Sequence, residues 1–364
     1  MKIALSAANM NVGGIGTFVL NLGQALGRAG HEVEVMASRR GAWWPHLAAA
    51  GIRGYSLPRL RWEVLKYFIT RRLFEKYVAR RKIDLLVINI GSDNRLPMQA
   101  LPLLSSQLPV VLVLHNDTPE VYDLAAVHQT LWRCAVGVSP QVQQRAAECF
   151  PQKSVHHIPY GIALPTMDQL HMRADMSASL KMLFVGRFED QQKGIFRLPA
   201  IVAECRRRRL PVRLTVIGDG PDGSRLREMF AEAGVADLVD MLGFQSNAEA
   251  TESMRRHHVL FLPSNYEGLG LVIMEAQANG CVPIAAHLRG VTDSVIAHGV
   301  DGLLVEPTDI AAYADAVERL MDAEEWRRCS RSGIDRAQQQ YSVERMARRY
   351  EALLESLRPG GIAV

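Results

Sequence analysis

In the stretch 267–286, "EGLGLVIMEAQANGCVPIAA", two glutamates, Glu267 and Glu275, stand eight positions apart around an apolar run with two glycines. Carboxylates are strong acceptors for paired hydroxyls, such as those of ribose or a sugar ring. Gly268 and Gly270 let backbone amides come close to a ligand. Leu269, Gly270 and Leu271 lead into an expected helix that runs through Met274 and Ala278 to a stop at Gly280. Glu275 falls about two turns into that helix, and Glu267 just ahead of it. Two acceptors with an anion-binding helix start between them suit an extended ligand reading sugar, phosphate, phosphate, ribose. A glutamate that only complements the helix dipole would account for Glu267 but not for Glu275 as well.

Two further stretches have anion chemistry. In "FVGRFEDQQKG", Gly186 ends a strand, Arg187 follows at once, and Lys193-Gly194 is expected to open the next helix. Arginine offers a planar fork of donors and lysine a point charge, so two cations six residues apart across a loop can converge on a diphosphate. The plain alternative is a pair of solvated surface cations. In "NVGGIGTFVLNL", Gly13-Gly14-Ile15-Gly16 reads as a turn between a strand and a helix, with amides and a positive helix end aimed at one spot. The spacing is G-G-x-G, not G-x-G-x-x-G, and the second strand ends in Ala37-Ser38 with no acidic residue for a ribose. Dinucleotide binding is therefore poorly supported; purely structural glycines are the other reading.

The elements that must position these groups alternate along the chain. In the first part, "KIALSA", "HEVEVMA", "DLLVINI", "PVVLVLH" and "AVGVS" are short apolar runs of the kind a parallel sheet buries on both faces. "TFVLNLGQALGRAG" carries a helical period and stops on Gly30. Around 151–180 the period is lost, and the segment reads as a linker. A second alternation follows, with strands at "KMLFVGR", "VRLTVIGDG", "LVDMLGF", "HVLFLPS", "CVPIAA" and "GLLVEP", and helices at 194–209, 223–234, 247–256, 270–279 and 309–322. The fold class expected is α/β, two Rossmann-like doubly wound domains facing a cleft. The boundaries expected are 1–165, 166–340 and a C-terminal helix and tail at 341–364.

The 364 residues suffice for two such domains. Hydrophobic residues at 48 % and charged ones at 22 % describe an ordinary globular chain. The five cysteines form no C-x-x-C pair, and His156-His157 and His257-His258 are adjacent, not i, i+4, so neither a disulfide framework nor a metal site is expected. The N-terminus lacks a signal-peptide pattern and no run reaches 18 apolar residues, so a cytoplasmic protein is the default. The net charge of +4 is small, but residues 59–82 hold nine Lys/Arg against two Glu, with Trp62, Leu65, Phe68, Ile69, Leu73 and Tyr77 near helical spacing. That is a basic amphipathic helix, either an anionic-membrane contact or an ordinary helix with a solvated basic face.

"EGLGLVIMEA" resembles the signature of retaining glycosyltransferases of the GT-B fold, family four (glycosyl transferases group 1). The resemblance covers nearly the whole chain. "GGIGTFVLNLGQALGRAGHEVEV", "VGVSPQVQQ" with "IPYGI", "FVGRFEDQQKG", "VIGDGPDGSRL", "LGF" and "FLPSNYEGLGL" follow in the family's order, and "YSVERMARRYEALL" is similar to its C-terminal helix, which crosses back to the first domain. Two departures stand out. His257-His258 replace a small residue and an acid before a strand, which implies an altered strand entry with activity kept. Paired Trp43 and Trp44 lie where the family varies near the acceptor, as acceptor contacts or as a local hydrophobic plug.

The resemblance implies a role for each matching position. Arg187 and Lys193 would neutralise the donor diphosphate, with Gly186, Gly14 and Gly16 leaving room for it. Glu275 would accept from the nucleotide ribose. Glu267 would hold hydroxyls of the transferred sugar, and the Gly268 turn and the amides of Leu269, Gly270 and Leu271 would meet sugar or phosphate. His115, in "VLHND", would lie beside the sugar, and Gly243, Phe244 and Gln245 would border the base. The catalytic set expected is Glu267, Arg187, Lys193 and His115. Stabilising the departing diphosphate is the largest available term, and these groups would supply it with no metal or other cofactor. The implied activity moves a hexose or N-acetylhexosamine from a nucleotide-diphosphate sugar, UDP before GDP, to a glycan or lipid-linked acceptor in polysaccharide or glycolipid synthesis. An epimerase or phosphorylase of similar fold and a non-enzymatic sugar-nucleotide-binding subunit are the alternatives. No nucleic-acid partner is expected.

Overall fold

The computed structural model describes residues 1–10, 13–41, 43–57, 63–91, 94–171 and 179–357. The chain divides into two compact units, one of Met1–Gly161 with Val343–Val364, the other of Ile162–Ser342.

Unit 1 runs β1 (Lys2–Asn9), α1 (Gly14–Arg28), β2 (Glu32–Arg39), α2 (Trp44–Ala49), β3 (Arg53–Ser56), α3 (Glu63–Arg81), β4 (Leu85–Ile90), α4 (Arg95–Ala100), β5 (Val110–Leu114), α5 (Pro119–Ala126), β6 (Cys134–Gly137), α6 (Pro140–Cys149) and β7 (Ser154–His157). Unit 2 runs α7 (Met167–His171), β8 (Leu180–Val185), α8 (Asp190–Lys193), α9 (Arg197–Arg207), β9 (Val212–Ile217), α10 (Gly223–Glu232), β10 (Val239–Gly243), α11 (Asn247–Arg256), β11 (Val259–Leu262), α12 (Leu271–Ala278), β12 (Val282–Ala286), α13 (Thr292–Val295), β13 (Leu303–Val305), α14 (Ile310–Arg319) and α15 (Ala323–Gln340). The last helix, α16 (Val343–Ser356), belongs to unit 1.

Both sheets are parallel throughout, in the orders β3-β2-β1-β4-β5-β6-β7 and β10-β9-β8-β11-β12-β13. This is the doubly wound α/β architecture expected from the alternating runs. The central strands carry apolar residues on both faces because helices cover both: every residue of β4, β5 and β11 is buried. In each sheet the strand order reverses once, between β1 and β4 and between β8 and β11. The carboxyl ends of strands at such a reversal are splayed by the connections leaving in opposite directions, and a ligand crevice opens there.

The C-terminal helix packs on α1. Tyr350 is fully buried, its ring centroid 5.7 Å from that of Phe18. Met346 Sδ accepts from the Gly161 amide at 3.0 Å, and Glu351 and Glu344 face His31 and Arg28 at 3.5 Å.

Four elements depart from the pattern reading. β3 and β7 lie at the edges of the first sheet, where half the surface is wet and an apolar run is not required. β7 falls within the stretch expected to be linker; residues 172–178 of that stretch lie outside the described residues. α15 was not anticipated, since its mean hydropathy is low and its buried face is narrow. In the basic helix, the expected residues Arg59–Trp62 lie outside the described residues, and the buried stripe is rotated from the expected one. Thr70, Phe74 and Val78 are buried, whereas Phe68 is 60 % exposed. His257 and His258 are both absorbed structurally: His257 Nε2 lies 2.8 Å from Thr215 Oγ1, and His258 Nδ1 accepts the Lys181 amide at 2.9 Å, extending the ladder where β11 begins.

The rotation of α3 is explained by Glu34, a fully buried carboxylate in β2. Burial alone would raise its pKa. Hydrogen bonds from Arg81 (Nε at 2.7 Å) and the Tyr77 hydroxyl at 2.5 Å outweigh that and hold it below the ordinary value. Tyr77 also stacks on Tyr55 of β3 at 4.0 Å. Tyr77→Phe is expected to lower the unfolding free energy by about 1.5–3 kcal/mol, because a buried ionised acceptor loses a donor. A carboxylate with a depressed folded pKa stabilises fully above its unfolded value and ceases to as pH falls through the folded one. The wild-type advantage in thermal melts should therefore shrink in acid; a constant difference across pH would refute the pairing.

Candidate functional site

The reversal between β8 and β11 gathers the residues singled out in unit 2. Beyond β8, the Gly186 amide still donates to Ile217 at 3.0 Å. The chain then turns on Phe188, which is buried and donates its amide to the Asp219 carbonyl at 2.8 Å. The single turn of α8 follows and is closed by Gly194 in the left-handed region, φ 59°. A Cβ there would also lie 2.1 Å from the Pro263 carbonyl, so only glycine lets the two strand-end loops approach.

Asn265 stitches those loops together. Its amide donates to Gln192 at 2.8 Å, its side chain donates to the Asp190 and Gln191 carbonyls at 3.1 Å, and it accepts from Arg197 at 2.6 Å. Arg197 also donates to the Pro263 carbonyl at 2.7 Å. Asp190 takes the Phe196 amide at 2.8 Å, and Asp222 takes the Asp190 amide at 2.7 Å.

This stitching brings Lys193 onto Glu267. Lys193 Nζ donates to Glu267 Oε1 at 2.6 Å, and Ser264 Oγ donates to the same oxygen at 2.6 Å. Glu267 is buried and Lys193 nearly so. Among the described residues nothing donates to Glu267 Oε2, which remains available to a hydroxyl. An anion arriving at Lys193 would compete with Glu267 for the ammonium, and the released carboxylate would turn to donors on the ligand. Arg187 is not part of this group. It is 66 % exposed and paired with Glu189 at 3.0 Å, a surface pair that holds it only weakly.

Helix α12 starts at Gly270, whose φ of 83° no branched residue would tolerate. No side chain caps this start and its first turn holds no acid, so its amides have no competing carboxylate. Gly268 and Leu269 are buried just before it, and Leu271 opens the helix. Glu275 lies in the second turn. Protein packed around it pushes its carboxyl up to about 7, and among the described residues no donor reaches it. At the far end of the same sheet edge, Gly243 (φ 70°) accepts the Gly218 amide at 2.9 Å, and Phe244 and Leu242 are more than half and half exposed. The Gln245 side chain donates to the Leu242 carbonyl at 3.4 Å.

In unit 1 the glycine segment is helix, not turn. Gly13 is the N-cap of α1, and Gly14, Ile15 and Gly16 form its first turn, with Gly16 buried. The helix has no side-chain cap. His115 follows β5 and is buried, its ring nitrogens engaged by Tyr160 and Asn89. Trp44 fills the space over Gly54 of β3, where a Cβ would lie 2.8 Å from its ring, and Arg40 lies over its outer face at 5.4 Å.

Pattern reading missed Ser264 and Asn265, although "PSN" directly after a fully apolar strand was a usable sign of polar groups fixed at a strand end. It also missed Asn89, a lone polar residue in the buried run "LLVINI". Among the described residues no group of three His, Cys, Asp or Glu is placed to hold a metal.

Residues 176–336 match the family model described as Glycosyl transferases group 1, and residues 12–164 that of Glycosyltransferase Family 4. Only 1–11, 165–175 and 337–364 lie outside both. A phosphatidyl-myo-inositol mannosyltransferase of Mycolicibacterium smegmatis is 27 % identical over 331 residues, covering 86 % of this chain and 83 % of that protein. A D-inositol 3-phosphate glycosyltransferase of Frankia alni is 34 % identical over 183 residues, 48 % of this chain and 44 % of its own. The chain spans less than half the length of the first curated relatives it matches, down to 15 % of an exopolysaccharide phosphotransferase of Streptomyces coelicolor. Among solved structures, Anabaena Alr3699/HepE in complex with UDP and glucose is similar with a TM-score of 0.82 at 18 % identity, over 98 % of this chain and all of that one. The lipopolysaccharide outer core galactosyltransferase WaaB gives 0.74 at 17 % identity, over 97 % and 99 %. At such identities the structures speak to the fold alone.

Glu275 provides a test that needs no ligand. A carboxyl raised to about 7 in the folded chain contributes stability below its unfolded value and loses it as pH rises through the folded one. Wild type should lose melting temperature relative to Glu275→Gln between about pH 5 and about pH 8. Parallel pH profiles for the two proteins would show that Glu275 is already ionised.

Proposed function

The chain belongs to the glycosyltransferases of the GT-B fold, and from that premise we propose that it moves a hexose or N-acetylhexosamine from a UDP-sugar to a hydroxyl of a glycan or lipid-linked acceptor, retaining the anomeric configuration and using no metal. The observation that carries this reading is the Lys193–Glu267–Ser264 group at the β8/β11 reversal. It sets a cation for phosphate and a carboxylate for hydroxyls beside the uncapped start of α12. Alr3699/HepE, whose structure holds UDP and glucose, supports UDP as the nucleotide.

In this reading Lys193 and the first amides of α12 take the diphosphate, and Arg187 swings from Glu189 to join them. Glu267 holds sugar hydroxyls through its open oxygen. Glu275 accepts from the ribose, and Phe244 offers an exposed ring to the base. The bond between the anomeric carbon and the phosphate oxygen breaks as the acceptor oxygen bonds to the same face of that carbon. The acceptor proton passes to the departing phosphate, whose growing charge the cation and amides stabilise.

Unit 1 takes the acceptor. It holds 22 Lys and Arg against 13 Asp and Glu, a net +9, whereas unit 2 holds 20 against 25, a net −5. On α3 the exposed residues Phe68, Arg72, Lys76 and Arg80 recur every fourth position, one face of the helix. An aromatic residue and three cations on one exposed face favour an anionic membrane surface bearing a lipid-linked acceptor. Among the described residues no helix is long and apolar enough to cross a membrane.

Slow hydrolysis across a panel of nucleotide sugars, which needs no acceptor, identifies the donor. Lys193→Ala and Glu267→Ala should each cut turnover with it about 100-fold or more while the melting profile stays cooperative; wild-type rates in both would sink the assignment. Co-sedimentation with anionic vesicles should be strong at low salt and fade as salt rises, and should weaken in an Arg72→Glu/Lys76→Glu protein. Absence of binding at low salt would remove the membrane from the proposal.

A further inference from the structure

A directional chain of hydrogen bonds runs through the buried centre of unit 1. Asn89 Nδ2 donates to the Ser6 carbonyl at 3.0 Å. A carbonyl can only accept, so this bond fixes which way the Asn89 amide faces. Asn89 Oδ1 then points at His115 Nε2, 3.0 Å away, and that nitrogen must carry the proton. His115 Nδ1 is left with its lone pair, and the Tyr160 hydroxyl at 2.8 Å must donate to it. Ser6, Asn89, His115 and Tyr160 are each at least 95 % buried, so water does not offer a substitute for any of these bonds.

The surroundings hold the ring in place. Tyr160 stacks on the imidazole with centroids 5.7 Å apart and planes at 19°, and Phe18 of α1 meets it edge-on at 5.1 Å. Tyr160 itself is the next-to-last residue before the chain leaves unit 1. Its neighbour Gly161 is pinned on both sides of the peptide, its carbonyl by Asn21 of α1 at 3.0 Å and its amide by Met346 of α16 at 3.0 Å. Asp117, the nearest acid along the chain, is taken up by Tyr122, Gln141 and Arg145. Among the described residues no charged group acts on His115, and burial alone depresses its pKa, to about 3.

We propose that Tyr160 and Asn89 are positioning residues that lock His115 as the neutral Nε2–H tautomer, so that in sugar transfer His115 acts as a fixed polar strut and not as a proton carrier. The proposal rests on the transferase reading and on the expectation, carried by the resemblance, that His115 lies beside the sugar. It ties that residue to the point where the chain exits unit 1. Tyr160 lies in "IPYGI" and Asn89 in none of the quoted motifs, and each acts only through His115.

Long-range proton–nitrogen NMR of the full chain reads the tautomer directly, with His115→Gln assigning the resonance. Wild type should show His115 protonated at Nε2, bare at Nδ1 and unchanged between about pH 5.5 and about pH 8.5, well above the value that burial imposes. Tyr160→Phe keeps the ring and removes only the donor; it should admit the second tautomer and lower kcat three- to tenfold, the worth of one buried hydrogen bond, with the donor KM unchanged. Asn89→Asp offers a charged acceptor to Nε2 and should bring both a titration of His115 and a matching limb in the pH profile of kcat into that range. A protonated Nδ1 or a titrating His115 in wild type overturns the proposal, as does a wild-type kcat in Tyr160→Phe. If no nucleotide sugar is turned over by wild type, the transferase reading fails, whereas the spectra still decide the tautomer.

Discussion

The site of unit 2 depends on the meeting of two strand-end loops, which sets Lys193 against Glu267. An ammonium and a carboxylate withdrawn from water gain little unless further hydrogen bonds complete their shells. Here Ser264 completes one oxygen of Glu267, and the second oxygen is left open. The pair exists only because two loops from non-consecutive strands, after β8 and after β11, are brought together. Asn265 and Arg197 do so entirely through main-chain carbonyls and each other. Their support would survive any exchange of partners at Lys193. A ligand phosphate can therefore replace Glu267 at the lysine without dismantling the loops that hold both.

The parallel sheet makes that meeting possible. With β8 at the reversal, its outgoing chain goes one way, towards β9, and that of β11 goes the other, towards β12. Both carboxyl ends stay uncovered, and α12 begins there with an uncapped first turn. Unit 1 repeats the arrangement between β1 and β4, with the start of α1 at the corresponding place. Its centre is neutral and hydrogen-bonded where that of unit 2 is ionic. Asn89, His115 and Tyr160 do in unit 1, by directional bonds, what the ion pair does in unit 2.

The parts legible in the sequence were those whose physics is local. Runs such as "LLVINI" and "VVLVL" announce buried parallel strands because both faces must be apolar. Glycine at 270 marks a backbone turn that other residues resist, and Lys193 and Glu267 stand out as charges next to apolar runs. What was not legible depended on distant partners. Edge strands β3 and β7 need no apolar alternation. The buried stripe of α3 is set by Glu34, about 40 positions away, and not by the helix's own aromatics. Arg187 and Lys193 look equivalent in "GRFEDQQKG", yet one faces solvent beside Glu189 and the other is held against Glu267. His115 is marked in sequence only by resemblance, as a group beside the sugar, whereas the hydrogen bonds that hold its ring run through Asn89 to Ser6, 109 positions earlier.

The two glutamates of "EGLGLVIMEA" show how far environment separates like residues. Glu267 has a cation and a hydroxyl on one oxygen. Glu275 has neither, and the protein packed around it raises its carboxyl to about 7. Hydrogen bonds donated to the charged form are what would stabilise it. Hydroxyls donating to Glu275 would therefore favour its charged form. At Glu267, in the proposed reading, the ammonium would move to a phosphate and leave the carboxylate to hydroxyls. A ligand with both a diphosphate and a diol satisfies both conditions together, whereas a free sugar or a free phosphate meets only one.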